Sequence, residues 1–213
     1  MPTIFNLLLV RLQESAKESK ISKYSRHFLH SLGVFCTSFP PQVLFDQLEA
    51  ITAGLATMII VNVWEPNREN CSSADKTEIR QMLIGGTRLL LQSAVATKPN
   101  VWVSLLGTLI VLADVAQSNG QSSLVSDDFL LPDDEELGAK EFDSTYSRLA
   151  YAHIPSIDST AAIPSAPAYF VTSLSQFCAA APGQYLGVIQ QSLSPEVATV
   201  LQKLLTDNNA RLV

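Results

Sequence analysis

The stretch "ISKYSRHFLHSLGVFCTSFPPQVLFDQLEA" (residues 21–50) decides the fold class. Ile21, Tyr24, Phe28, Leu32, Phe35 and Phe39 recur at intervals of 3, 4, 4, 3 and 4. A helix puts such positions on one face, so an α-helix with a single apolar stripe is predicted. Pro40 and Pro41 lack the amide hydrogen that would carry the helix on, and their fixed φ suits the first turn of the next. Leu44, Leu48, Ile51, Leu55 and Met58 keep the spacing. A second helix is therefore expected to run on towards Val63.

Working outward, the same pattern repeats. "EPNRENCSSADKTEIR" (residues 65–80) reads as a polar turn opening at Pro66. Ser73, three residues before Lys76, is the expected cap of a third helix. Ile79, Met82, Leu83, Leu89 and Leu90 give that helix its stripe. Gly85 and Gly86 sit inside it and cost about 1 kcal/mol each relative to Ala. What they offer in return is close approach of a neighbouring helix. "GGT" has neither a preceding strand nor a GK[ST] ending, so it is not read as a phosphate loop.

Pro99 opens a helix that is apolar almost all round to Val115, as expected of a helix buried on most sides. Its window 101–116 carries Asp114 and is shorter than a bilayer crossing of about 20 residues. A core helix is expected there, with no membrane insertion. Asn119, Gly120 and the following serines are expected to stop it. A short helical piece is read at 142–152, then a Pro/Ser-rich connector at 153–167.

Phe170, Leu174, Phe177 and Cys178 form one further stripe, ended by Pro182–Gly183. Leu186, Ile189 and Leu193 form another. Ser194, Pro195 and Glu196 read as a cap, a proline at the first position and an acid in the first turn. Val197, Val200, Leu201, Leu204 and Leu205 then finish the chain. No period-2 alternation competes with this reading.

The expected class is all-α: a HEAT-repeat α-solenoid of about four to five helical pairs, with antiparallel hairpins repeating every ~40 residues. A compact helical bundle is the rival architecture. Phe28, Leu32, Phe35, Leu48, Leu55, Leu89, Leu105, Leu109 and Leu174 are expected in the core.

Composition narrows the function. A chain that is 47% hydrophobic and 16% charged is folded rather than disordered. Cys36, Cys71 and Cys178 are scattered without C-x-x-C spacing, so neither a zinc site nor a disulfide framework is read. The sequon at Asn70–Ser72 carries no weight without a secretory signal, and none is read at the N-terminus, where Arg11 and Glu14 interrupt the apolar run. His27 and His30 stand at i, i+3 with no third ligand in view, and no metal role is assigned to them. No nucleophile motif and no dinucleotide fingerprint occurs. No enzyme and no cofactor is expected.

Charge is concentrated in one place. "DDFLLPDDEELGAKEFD" (residues 127–143) holds eight acidic residues and one lysine, a local charge of −7. The remaining 12 acidic and 13 basic residues nearly cancel, so no nucleic-acid footprint is present. Asp133–Glu136 share one environment, whereas acid–base pairs need two. The segment reads either as a solubilising loop or as a docking edge for a basic partner. Asp127, Asp128, Asp133, Asp134, Glu135 and Glu136 are the candidate protein-binding residues. The loop is expected to span 124–141 between two helical units, with Phe142, Tyr146 and Leu149 anchoring the helix after it.

At this point a family resemblance enters. "MPTIFNLLLVRLQESAKESKISKYSRHFLHSLGVFC", "LLPDDEELGAKEFDSTYSRLAYA" and "AAAPGQYLGVIQQSLSPEVATVLQKLL" resemble the C-terminal region of the CAS exportins, the importin-α re-exporters of the importin-β superfamily. The resemblance runs through nearly the whole chain, and 62–76 departs most from it. It implies a HEAT solenoid continuing from further repeats that precede Met1. It implies a non-enzymatic receptor that binds importin-α together with Ran in its GTP form, and shuttles between nucleus and cytoplasm. The principal Ran contact then lies in repeats outside this chain. The competing reading is a HEAT scaffold with no Ran link.

Overall fold

The computed structural model describes residues 2–17, 21–121 and 159–212. Among the described residues all regular structure is helical, with no strand. Helix α1 (Pro2–Lys17) is tied to α2 (Ile21–Ser38) by the Tyr24 hydroxyl, which donates to the Leu8 carbonyl at 3.0 Å. Phe28, Leu29, Leu32 and Cys36 are buried, while Tyr24 and Phe35 are half-buried. Phe39 departs from expectation. It lies beyond the end of α2, is 50% exposed, and packs its ring on Phe35 at 4.8 Å. The buried face is centred on Leu29 and Cys36 because α2 is packed on two sides, by α1 and by α6 (Lys76–Gln92).

The second predicted helix is broken. Helix α3 (Pro41–Ile51) stops, Gly54 takes a left-handed φ of +83°, and the path turns by 105° into α4 (Leu55–Ile59). Glu49 stabilises the turn: its carboxylate accepts from the amides of Gly54 (2.7 Å) and Ala56 (3.3 Å). Met58 is consequently on the exposed side. A widened π-helical turn (Ile60–Trp64) carries the helical path past Val63, and a 3-10 turn (Glu65–Asn67) and α5 (Arg68–Ser72) follow where a polar turn was expected. The wide turn places Trp64 fully in the core.

The cap of α6 is Asp75, not Ser73. Its carboxylate accepts from the Glu78 amide at 2.8 Å. Helix α7 (Pro99–Gln121) runs past Asn119 and Gly120 before it ends. By length and composition Pro99–Ser118 could cross a bilayer. Here α5, α6 and α8 (Ala166–Ala180) surround it together with α9 (Gln184–Ser192) and α10 (Pro195–Asp207), and Trp102, Leu105, Leu106, Leu109 and Ile110 have no exposure. It is a core helix, as its all-round apolar surface predicts. Trp102 joins Phe177 (6.4 Å) and Tyr185 (5.1 Å) in a ring cluster that locks α7, α8 and α9. Ser194 caps α10 as its sequence indicates, and Ser165, inside the expected connector, caps α8.

Two layers result. Helices α2, α6 and α8 stack in one, and α1, α3–α5, α7 and α10 in the other. Contacts between α2 and α6 advance in step: Arg26 meets Glu78, His30 meets Gln81, and Arg88 meets Cys36 and Thr37. The two helices therefore run parallel, at an offset of 51 or 52 residues. Equivalent helices of successive units stack side by side, the arrangement of a solenoid. The offset exceeds the expected ~40 residues because α4, α5 and their linking turns add length to the second unit.

Cys36, Cys71 and Cys178 are free and fully buried. Burial pushes their thiols up to about 12, 12 and 11. A raised folded value favours the native state below the unfolded value of 9.0 and loses that contribution as pH climbs towards the folded one. Stability in urea is thus expected to fall above pH 9, by up to about 1.4 kcal/mol per pH unit for each thiol. A Cys36→Ala variant, less stable at pH 7, should show a shallower slope between pH 9 and 11. An unchanged slope counts against thiol burial as the cause.

Candidate protein interface

Helix α6 carries Lys76, Arg80 and Arg88 at spacings of 4 and 8, which set them on one side. Arg88 reaches the C-terminus of α2, donating to the carbonyls of Cys36 (3.0 Å) and Thr37 (2.7 Å). A cation there satisfies carbonyls that have no helical partner. Arg80 reaches the point where the chain re-enters after the acidic stretch. Its guanidinium donates to the Thr160 hydroxyl (3.0 Å), the Thr160 carbonyl (2.7 Å) and the Ile163 carbonyl. Ser159 shares a hydrogen bond with Thr37 at 2.7 Å. Residues 159–163 are thereby fastened to the α2–α6 layer.

Above this anchor lies a polar cluster. Glu78 of α6 faces Arg26 (3.5 Å), His27 (3.4 Å) and His30 (3.9 Å) of α2. The other nitrogen of His30 is 2.7 Å from the Gln81 side-chain oxygen. The i, i+3 histidine pair thus meets a carboxylate from another helix. This is a polar staple between two parallel helices. Among the described residues no three His, Cys, Asp or Glu side chains are arranged to hold a metal.

The sequence-predicted interface residues Asp127, Asp128, Asp133, Asp134, Glu135 and Glu136 lie outside the described residues, as do Phe142, Tyr146 and Leu149. The structure brings together their C-terminal flank, through Arg80 and Thr37. Sequence reading missed that anchor. Its visible trace is the 76–80–88 spacing of basic residues on a helix otherwise sunk in the core. The sequon asparagine, Asn70, sits inside α5 and donates to Asn67 at 3.0 Å.

Comparison with known proteins places this architecture. Residues 1–204 match the family model described as CAS/CSE protein, C-terminus. The chain is 26% identical over 218 residues to Exportin-2 of Xenopus laevis, covering 99% of this chain and 21% of that protein. It is 25% identical over 212 residues to Exportin-2 of Homo sapiens, covering 95% and 20%. Exportin-2 of Oreochromis niloticus is 24% identical over 221 residues. The chain spans about a fifth of the length of these relatives. No solved structure matches it. An all-helical, two-layer stack matched by that family model along almost its whole length belongs to the CAS/CSE family, in the region that forms the family's C-terminus.

Proposed function

We propose that this chain serves as the C-terminal part of a nuclear export receptor that binds importin-α together with Ran-GTP and shuttles between nucleus and cytoplasm. The observation that carries the reading is the family match over residues 1–204. The name exportin on each relative quoted above supports it. In this reading the chain works by binding, with no catalytic step and no cofactor. The acidic residues Asp127, Asp128, Asp133, Asp134, Glu135 and Glu136 meet a basic protein surface. Arg80 and Thr37 tie residues 159–163, further along the chain, to the α2–α6 layer.

The test is a binding assay of the intact protein with importin-α, with and without Ran loaded with a non-hydrolysable GTP analogue. Binding of importin-α only when Ran-GTP is present is the expected result. Absence of binding in both arms leaves the alternative, a HEAT scaffold with no Ran link. A charge test follows within the same assay. Replacing Asp133 and Asp134 by Asn, and Glu135 and Glu136 by Gln, is expected to weaken the ternary complex on the order of tenfold at low salt. The difference should shrink above 0.1 M salt, where the screening length is about 10 Å or less. Thermal stability is expected to be unchanged, since surface ion pairs contribute little to folding. Equal low-salt binding of variant and wild type would reduce the segment to a solubilising linker.

A further inference from the structure

Helices α9 and α10 are joined at Leu193 and Ser194, yet each packs more on α7 and α8 than on the other. A groove of about 470 Å³ lies between them. Leu186 and Ile189 of α9, Ala198, Leu201 and Leu205 of α10, and Leu212 give it an apolar lining. Leu186, Leu205 and Leu212 are only half-buried, so that lining is open to a ligand. Ala198, Leu201 and Leu205 are spaced 3 and 4 on one face of α10, a run of about 10 Å, or two helical turns.

One side of the groove is set by a capped turn. Asn209 takes a left-handed φ of +52° after α10, a conformation that asparagine tolerates. The Ala210 amide donates to the Leu205 carbonyl at 2.9 Å and the Asn209 amide to the Thr206 carbonyl at 3.1 Å, the paired bonds of a Schellman cap. The chain is thereby turned back beside the end of α10. The Ser175 hydroxyl of α8 donates to the Arg211 carbonyl at 2.5 Å and pins it there. Arg211 is exposed, and among the described residues that line the groove it alone is charged. No described carboxylate pairs with it. Asp207 accepts from Gln117 at 2.6 Å, Asp114 pairs with Lys203 at 2.9 Å, and Glu196 stands in the first turn of α10, away from the Arg211 end.

We infer that this groove docks an amphipathic helix of a partner protein, with apolar side chains seated along α9 and α10 and a carboxylate on Arg211. Charge selects the occupant: an apolar groove with one unpaired guanidinium and no acid of its own favours an anionic end and opposes a cationic one. Geometry selects a helix. Helical walls offer no free backbone ladder for an extended peptide to join, whereas a helix brings its own backbone hydrogen bonds. Two turns of α10 match apolar anchors at i, i+4 and i+7 of the partner, and Arg211, beside the Leu205 end, meets an acid at i+11. The inference goes beyond the transport reading and does not rest on it, because it requires neither Ran nor importin-α.

Selection from a displayed peptide library, with the whole chain as bait, tests this. The probe is an alanine-based peptide of about 16 residues, long enough to hold a helix, randomised only at i, i+4, i+7 and i+11. Leucine, isoleucine, methionine or phenylalanine should be enriched at the first three positions. Asp or Glu should outnumber Lys or Arg at the fourth by on the order of tenfold, the discrimination expected of a charged hydrogen bond. With Arg211→Glu as bait the fourth position should change to Lys or Arg. Ala198→Arg, which fills the groove, should abolish enrichment, whereas Thr199→Arg adds the same charge on an exposed α10 position outside the groove and should leave it intact. No enrichment on the wild type overturns the inference, as does a fourth position that ignores Arg211→Glu. Enrichment that survives Ala198→Arg overturns it too, since the peptides then bind elsewhere. A wild-type dimer in sedimentation that Ala198→Arg dissociates also overturns it and assigns the groove to a second copy.

Discussion

Gly85→Ala is expected to destabilise the fold by about 3 kcal/mol, although alanine is the better helix former. Helix propensity alone predicts a gain of about 1 kcal/mol. Packing reverses the sign. A methyl group on Gly85 would stand 2.0 Å from the Gly33 carbonyl oxygen and 2.8 Å from the Gly33 Cα. Those atoms are backbone and cannot rotate away, so α2 and α6 must move apart along their whole contact. Overpacking of a well-filled core costs typically 1–3 kcal/mol and occasionally more, and a backbone collision lies at the upper end.

The neighbouring glycines grade the effect. Gly33→Ala meets the Met82 Cα at 3.0 Å and should cost about 1–2 kcal/mol. Gly86→Ala meets the Leu109 Cδ2 at 2.6 Å, the far end of a side chain that can turn, and should cost about 1 kcal/mol. Gly187→Ala meets nothing within 4 Å and should stabilise by roughly 0.5–1 kcal/mol. Urea unfolding of the four variants gives the order. A Gly85→Ala protein as stable as the wild type means that α2 and α6 do not cross at these glycines.

These glycines also show what a sequence can and cannot display. Gly85 and Gly86 inside an apolar stripe announced a close helix approach, but Gly33 could not be identified as the partner. Contact between residues 52 positions apart depends on register, and register depends on the turns between. Those turns were the weak point. Leu44, Leu48, Ile51, Leu55 and Met58 kept helical spacing straight through a break, because spacing is blind to a single left-handed residue. Gly54 and the carboxylate of Glu49 decide that turn, at a φ of +83° and a hydrogen bond of 2.7 Å. The core helix at Pro99 was legible because its apolar surface leaves no polar face to mislead. Pro40–Pro41 and Ser194–Pro195 were legible because proline acts locally. The anchor at Arg80 was not, since two of its three acceptors are backbone carbonyls 80 and 83 residues away and carbonyls have no sequence signature.

That anchor carries the other large expected effect. Arg80→Ala should cost about 3 kcal/mol and loosen residues 159–163 before the rest of the fold. Thr160 is 1% exposed, so its hydroxyl and carbonyl lose a charged donor without gaining water in its place. A hydrogen bond to a charged group contributes about 1.5–3 kcal/mol, and the Ile163 carbonyl is a third acceptor on the same guanidinium. Arg80→Lys should recover only part of this, because a single ammonium cannot span three acceptors with the geometry of a planar fork. Hydrogen exchange separates a local from a global loss. The Ile163 amide, which donates to the Thr160 carbonyl at 2.9 Å, should exchange faster in Arg80→Ala, while amides in the middle of α7 change only by the global loss of stability. Uniform acceleration would make Arg80 a general stabilising residue and remove its role as the clasp that holds residues 160–163. Unchanged exchange at Ile163 would show that Thr37 and Ser159 hold this end without it.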